Sequence, residues 1–198
     1  LLQCTTPAPP TIDTAAELPD CPQYGASVVG TVATDALTEI SGVVTSRRAA
    51  DRLWVHNDSG DGPHLYAINT KGELLKKVVL PGVNAVDIED IAAGLDLKGS
   101  PLLYIGDFGD NTEKREHIRI HQLVEPDPAT NWAVTELKSF TLTYPDRPHN
   151  AEALLFDPMG RELIIVTKAF SGLSQIFTIP VAALGTETTL TAVGQIQF

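Results

Sequence analysis

The middle of the chain contains the stretch Tyr104-Ile105-Gly106-Asp107-Phe108-Gly109-Asp110-Asn111. The stretch begins as an apolar segment and then enters a turn with two glycines and several side chains that carry oxygen atoms. Short apolar runs bounded by turn residues predict buried β-strands. Carboxylate and amide oxygens grouped this closely suit Ca²⁺, although isolated groups of Asp and Gly also form ordinary surface turns.

A similar layout occurs three times along the chain, which indicates an internal repeat. Each unit contains four short apolar segments separated by turns, in residues of about 37–83, 84–147 and 148–198. Four antiparallel strands repeated at roughly 50 to 60 residues are typical of a β-propeller blade. A β-sandwich is the weaker alternative, because it does not require an acidic residue at the same place in each unit. We therefore predict an all-β chain with an extended Pro/Thr-rich arm at residues 1–24 and a partial β-propeller at residues 25–198.

The number of predicted blades has a consequence for assembly. Propellers usually have about four to eight blades, and three twisted sheets do not close a ring. We therefore expect about half of a six-bladed propeller. The remaining blades would come from a missing C-terminal part of the same protein, from a second chain, or from a homodimer mate.

Glutamates near the first strand of each unit predict a ring of carboxylates around the propeller axis. Glu39 precedes Asn57 by as many residues as Glu89 precedes Asp107, and Glu152 opens the third unit. Like charges this close favour a bound cation. The predicted Ca²⁺ ligands are Glu39, Asn57, Asp58, Glu89, Asp107, Asp110 and Glu152.

Two further residues are candidates for catalysis. Lys168 occupies the corresponding region of the third unit, where it either neutralises the acidic ring or orients an anionic substrate. His149 lies beside Asn150 and Glu152 in the sequence, so we select it as the candidate general base, with a surface or capping histidine as the alternative.

Composition limits the partners and the compartment. The formal net charge of −11 argues against nucleic acid as a partner, because nucleic-acid binding needs clustered Lys and Arg. No apolar run approaches the roughly 20 residues of a membrane-spanning helix. Cys4 and Cys21 flank the Pro/Thr-rich arm, and we interpret them as one disulfide, with two unpaired thiols as the alternative. A disulfide favours the periplasm or the extracellular space.

Several motifs together resemble one family. They are Glu39-Ile40-Ser41-Gly42, the run from Trp54 to Asp61, the run from Asp87 to Ala92, the run from Gly106 to Asn111, Glu125-Pro126, Tyr144-Pro145-Asp146 and the run from Asn150 to Ala153. This pattern resembles exported bacterial β-propellers of the phytase-like, or "esterase-like activity of phytase", group. The resemblance runs from about residue 37 to 198 and implies an exported propeller. A looser likeness to gluconolactonase-type propellers implies an axial divalent ion held by residues of the kind of Glu39, Glu89, Asp107 and Glu152.

Two functional hypotheses follow from these patterns. The first is a Ca²⁺-dependent hydrolase of ester or phosphoester substrates, in which Lys168 and His149 assist the cation. The second is a non-catalytic propeller that binds a protein or a glycan, since the sequence has neither a nucleophile elbow nor a phosphate loop.

Overall fold

The computed structural model describes residues 27–58 and 60–197, which form an all-β fold with two short 3-10 helices. The prediction of an all-β chain is confirmed. The predicted arm at residues 1–24 and the predicted pairing of Cys4 with Cys21 lie outside the described residues. In the part of the chain that is described, no helix has the length and apolar character needed to cross a bilayer.

Thirteen strands are present in the described residues. In chain order they are β1 (Ile40–Thr45), β2 (Arg52–Asn57), β3 (His64–Asn69), β4 (Leu74–Val79), β5 (Ile88–Leu95), β6 (Pro101–Asp107), β7 (Ile118–Val124), β8 (Leu137–Thr143), β9 (Ala151–Asp157), β10 (Glu162–Thr167), β11 (Leu173–Pro180), β12 (Glu187–Thr189) and β13 (Thr191–Gln197). The 3-10 helices cover Pro128–Thr130 and Val181–Ala183.

The strands form three sheets. The first sheet has the order β1-β2-β3-β4, and the third has the order β13-β11-β10-β9. The second sheet has the order β12-β8-β7-β6-β5, in which β12 pairs in parallel with β8. All other strand pairs are antiparallel, so each sheet is built mainly from four strands of one sequence unit.

Apolar side chains fill the spaces between neighbouring sheets. β5 contacts β1 on one side and β9 on the other, so the first strands of the three sheets lie next to one another. The core between the first and second sheets includes Trp54, Leu65, Ile91, Leu103 and Ile105. The core between the second and third sheets includes Tyr104, Phe108, Leu154, Leu163 and Phe177. Burial of these aliphatic and aromatic side chains is what holds the sheets together.

A β-bulge at the same place in each sheet defines how the three units correspond. The pairing passes from Ile40 to Gly42 in β1, from Ile88 to Asp90 in β5 and from Ala151 to Ala153 in β9. The residues in these bulges are Ser41, Glu89 and Glu152. The equal sequence spacing predicts that Glu39 corresponds to Glu89. The strand register shows instead that Glu39 in the first sheet corresponds to Asp87 in the second, because each lies two residues before the bulge of its sheet. That part of the predicted alignment is corrected.

Two hydrogen bonds connect the first strands where the bulges lie. The Ser41 hydroxyl donates to the carbonyl oxygen of Glu89 at 2.9 Å. The backbone N–H of Leu154 donates to Asp90 Oδ2 at 2.7 Å. These bonds fix β5 between its two neighbours and set the position of the residues that precede β5.

Candidate metal centre

Three carboxylates converge where the first strands begin. One ligand atom from each of Asp58, Asp87 and Glu89 lies within 4.8 Å of the other two. Asp58 directly follows β2, Asp87 directly precedes β5, and Glu89 occupies the β5 bulge. We call these three residues the acidic cluster. It unites two different sheets, because Asp58 belongs to the first and the other two belong to the second.

Glu89 is the most deeply placed member of the acidic cluster. Only 5% of the residue is exposed. Burial raises the pKa of Glu89 to about 8, with further contributions from the negative charges of Glu152, Asp87 and Asp58. Burial and the charge of Asp58 also raise the pKa of Asp87. A cation placed among these groups would reverse both shifts.

Gly109 makes room for two of the carboxylates. A Cβ atom at this position would lie 2.3 Å from Glu89 Oε1 and 2.4 Å from Asp87 Oδ2. The Gly109 N–H also donates to the carbonyl oxygen of Asp87 at 3.1 Å. Any side chain at position 109 would therefore push the two carboxylates out of their present positions.

Asp107 supports the cluster from behind. It is fully buried and accepts the backbone N–H groups of Asp87 at 2.9 Å and Val86 at 3.2 Å. The Arg115 guanidinium donates to Asp107 Oδ1 at 3.0 Å, and His121 Nε2 lies 3.7 Å from Oδ2, which is longer than a hydrogen bond. Although burial raises the pKa of Asp107, these favourable neighbours outweigh it and hold the pKa at about 2.

Asp110 shapes the turn that carries Gly109. Its carboxylate accepts the backbone N–H groups of Lys114 at 2.5 Å and Arg115 at 2.6 Å. Its own backbone N–H donates to Asn150 Oδ1 at 2.8 Å, which connects the turn to the third sheet. The oxygens of Asp110 are therefore used within the turn.

Glu152 and Lys168 form an ion pair at the edge of the site. Lys168 Nζ lies 3.0 Å from Glu152 Oε1, and the Asn150 amide donates to the same oxygen at 3.2 Å. The Glu152 carboxylate raises the pKa of Lys168, while Lys168 opposes the upward shift of the Glu89 pKa. Lys168 thus supplies positive charge next to the acidic cluster.

Glu39 and Asn57 lie near Asp58, around a cavity next to the acidic cluster. The backbone N–H of Glu39 donates to Asn57 Oδ1 at 3.4 Å, in the same way that Asp87 donates to Asp107 in the second sheet. Both residues line a polar cavity of about 530 Å³ that also includes Asp58 and Lys77. A second cavity of about 280 Å³ contains Asp58 and Val86 as well. Asp58 therefore borders open space on two sides.

His149 occupies a different environment from the acidic cluster. Only 3% of the residue is exposed, and its ring packs against Tyr144 and Phe177 with centroid separations of 4.9 and 5.1 Å. Its Nε2 lies 3.0 Å from Asp146 Oδ1. A substrate would reach this imidazole only after these contacts had opened.

Of the seven predicted ligands, the structure brings Asp58 and Glu89 into one cluster. The carboxylates of Asp107 and Asp110 accept hydrogen bonds from backbone N–H groups, Glu152 pairs with Lys168, and Glu39 and Asn57 line the neighbouring cavity. Sequence reasoning missed Asp87. The bulge-corrected alignment would have found it, because Asp87 is the counterpart of Glu39.

No protein-family model and no curated protein matches the sequence, so the phytase-like resemblance gains no family evidence. Two solved structures show a weak similarity to this chain. One is an auxiliary nutrient binding protein from Bacteroides thetaiotaomicron, with 11% identity, a TM-score of 0.47, and coverage of 86% of this chain and 37% of that chain. The other is the complex of KlAtg21 with the coiled coil of AgAtg16, with 12% identity, a TM-score of 0.32, and coverage of 81% of this chain and 71% of that chain. The present chain thus spans 37% of the length of the nutrient-binding protein, and the likeness concerns a β-rich fold.

Proposed function

We propose that this chain is part of an exported β-propeller that binds Ca²⁺ at the acidic cluster. The observation that carries the proposal is the convergence of Asp58, Asp87 and Glu89 within 4.8 Å, with Glu89 buried. Holding a buried carboxylate beside other negative charges is costly, and a cation at the cluster would offset that cost.

The donor chemistry of the cluster fits Ca²⁺. All three ligands are hard carboxylate oxygens, and Ca²⁺ takes about six to eight oxygens, some of them from bidentate carboxylates, carbonyl groups and water. Softer metals prefer nitrogen or sulfur ligands, which the cluster lacks. The space that Gly109 leaves open beside Asp87 and Glu89 is further support, because it lets backbone approach both carboxylates.

The architecture supports a propeller in which the three sheets are consecutive blades. Their first strands lie side by side, and the bulges and the cluster lie where those strands begin, as expected for the mouth of a central channel. In this proposal, further blades from a C-terminal continuation, a second chain or a homodimer mate complete the ring. Export rests on the predicted disulfide and on the family resemblance.

Calorimetric titration with Ca²⁺ tests the cation site. The unmodified protein should bind one equivalent, and both Glu89→Gln and Asp87→Asn should weaken binding at least tenfold. Glu136→Gln is the matched control, because Glu136 is exposed and precedes β8 at the end of the second sheet far from the cluster. Equal Ca²⁺ affinity in all four proteins, or no binding heat at any concentration up to millimolar, would contradict the proposal.

A hydrolytic activity is the second candidate, and the cavity of about 530 Å³ that shares Asp58 with the cluster favours it. When bound, Ca²⁺ would polarise an ester or phosphoester oxygen as a Lewis acid. The half-exposed Lys168 would attract an anionic substrate group, while Glu152 holds the lysine in place. His149 stays the predicted general base, and its use requires its contacts with Asp146 and Tyr144 to open.

Turnover of ester, lactone and phosphoester substrates, with and without chelator, separates the hydrolase from a non-catalytic binding module. The hydrolase hypothesis expects activity that disappears with chelator and falls in Lys168→Met. Ca²⁺ binding without turnover of any substrate favours the module that binds a protein or a glycan. In that case the cation only rigidifies the mouth of the propeller.

A further inference from the structure

The outer face of the third sheet is apolar and open. Four side chains define it, namely Leu155 of β9, Ile164 and Val166 of β10, and Ile176 of β11, and we call them the open face. Leu155 is 49% exposed, and the other three are partly exposed. A groove of about 390 Å³ runs along Val166, Ala153 and Ser174.

We propose that a further four-stranded antiparallel β-sheet packs on the open face. This inference rests on the proposed propeller architecture and is independent of the cation. The open face is the surface that receives this additional sheet, and its apolar character determines which side chains the additional sheet must present.

The strand registers show that the open face repeats a surface that is already an interface elsewhere. Ala92 pairs with Tyr104 in the second sheet, as Leu155 pairs with Ile164 in the third. Further along, Gly106 pairs with Ile120, as Val166 pairs with Ile176. Each member of the open face therefore has a counterpart in the second sheet.

The counterparts are buried because another sheet covers them. Tyr104 and Ile120 are fully buried in the core between the second and third sheets, where they meet side chains such as Leu163 and Phe177. Trp54, the counterpart of Tyr104 in the first sheet, is fully buried against the second sheet in the same way. The third sheet carries the same kind of surface, and no sheet formed by residues 27–58 and 60–197 covers it. Contiguous exposed apolar area of this kind marks an interaction site.

The described structure also argues against head-to-tail packing of a second copy. The equivalent receiving surface would be the far side of the first sheet, where Val55, Tyr66 and Ile68 are buried. That side is already covered by Leu37 and by Val32 of the same chain. A second copy would have to displace this segment, so we assign the open face to a sheet from additional polypeptide.

The chemistry of the occupant follows from the two existing interfaces. The second sheet presents Ile91, Leu103 and Ile105 to the first sheet, and the third presents Leu154, Leu163 and Ile165 to the second. The occupant should therefore present aliphatic side chains on the first and second strands of an antiparallel sheet. Aliphatic rows of this kind interdigitate with Leu155 and Ile164 as they do in the cores already formed.

Labelling of an introduced cysteine tests the proposal directly. Cys4 and Cys21 are replaced by Ser, Leu155→Cys is introduced, and the rate of reaction with a maleimide is measured in chelator. The same change is made in a fusion that appends a second copy of residues 84–147 after Phe198, as a probe sheet. Met159→Cys, in the exposed turn between β9 and β10, is the matched control.

The expected result is rapid labelling at position 155 in the single chain and at least tenfold slower labelling in the fusion, with equal rates at position 159. A second fusion with residues 148–197 appended covers the case in which the first added unit does not fold. Equal rates at position 155 in the chain and in both fusions would overturn the proposal. The proposal would also be overturned if position 155 of the single chain were labelled slowly and the chain had the mass of a dimer. It would likewise be overturned if position 155 were labelled slowly in the single chain but rapidly after deletion of residues 1–26. Because chelator is present throughout, the result does not depend on Ca²⁺ binding.

Discussion

The carboxylate of Asp107 accepts the backbone N–H of Asp87 at 2.9 Å. This bond joins the end of β6 to the segment that leads into β5, and it holds Asp87 where its own carboxylate meets Asp58 and Glu89. Asp107 was predicted from the sequence as a ligand, and in the structure its carboxylate accepts hydrogen bonds from the backbone of Asp87 and Val86.

Lowering the pH should reduce the free energy of unfolding because Asp107 becomes protonated. The folded-state pKa of about 2 lies below the ordinary value of 3.8, so the unfolded state binds the proton first as the pH falls. The stabilisation is complete above about pH 4 and is lost as the pH falls towards 2. We expect the unmodified protein to lose about 2 kcal/mol more than Asp107→Asn over this range, by urea unfolding. Asp51→Asn, at an exposed position, should behave like the unmodified protein.

Raising the pH should reduce the folding stability of the cation-free protein because Glu89 loses its proton. Its folded-state pKa of about 8 lies above the ordinary value of 4.5, so the folded state retains a proton that the unfolded state releases. Stability that is present below pH 4.5 is therefore lost as the pH rises through 8. In chelator, the melting temperature should fall between pH 5 and 8 more steeply in the unmodified protein than in Glu89→Gln. Parallel curves for the two proteins would show that Glu89 is not shifted upward.

Enlarging Gly109 should weaken Ca²⁺ binding at the proposed cation site without unfolding the protein. In Gly109→Ala the new methyl group would meet Glu89 Oε1 and Asp87 Oδ2 at 2.3 and 2.4 Å, so both carboxylates must shift away from it. We expect at least a tenfold loss of Ca²⁺ affinity by calorimetry, with an unchanged circular dichroism spectrum. Gly194→Ala is the control, because a Cβ at that position meets nothing within 4 Å. Unchanged Ca²⁺ affinity in Gly109→Ala would mean that the cation binds elsewhere.

Removing the Glu125 carboxylate should destabilise the contact between the first and second sheets. Glu125 is buried and accepts hydrogen bonds from Trp54 Nε1 at 2.9 Å, from the Arg47 N–H at 3.0 Å and from the Ser46 hydroxyl. Glu125→Ala leaves these donors without an acceptor, at a cost of about 3 kcal/mol in the free energy of unfolding. Urea unfolding measures the loss. Ca²⁺ affinity should stay unchanged, because Glu125 lies at the end of the second sheet away from the cluster.

Strand positions were predictable because each unit alternates short apolar runs with turn residues. The run from Leu102 to Ile105, for example, lies within β6 and is fully buried at Leu103 and Ile105. The pairing of β12 with β8 was not predictable. The sequence from Thr188 to Phe198 predicts one strand. In the structure Leu190 is buried and separates β12, which joins the second sheet, from β13, which joins the third.

The candidate site was predictable in its region but not in its ligands. The internal repeat identified the region, because carboxylates recur beside the first strand of each unit. The β-bulge at Glu89 determines which carboxylates converge. A bulge inserts one extra residue into a strand, so the side chains that follow point to the other face of the sheet, and this sequence carries no motif that predicts the bulge. The acceptor role of Asp107 depends likewise on long-range backbone contacts with Val86 and Asp87.

The short parallel pairing of β12 with Thr141, Leu142 and Thr143 of β8 bears on aggregation. An outer sheet edge with unpaired backbone groups can template the addition of strands from other molecules. In the second sheet this stretch of edge is already occupied by a later segment of the same chain. The outer edges of the other two sheets are β4, where Lys76 and Lys77 oppose such addition, and β13.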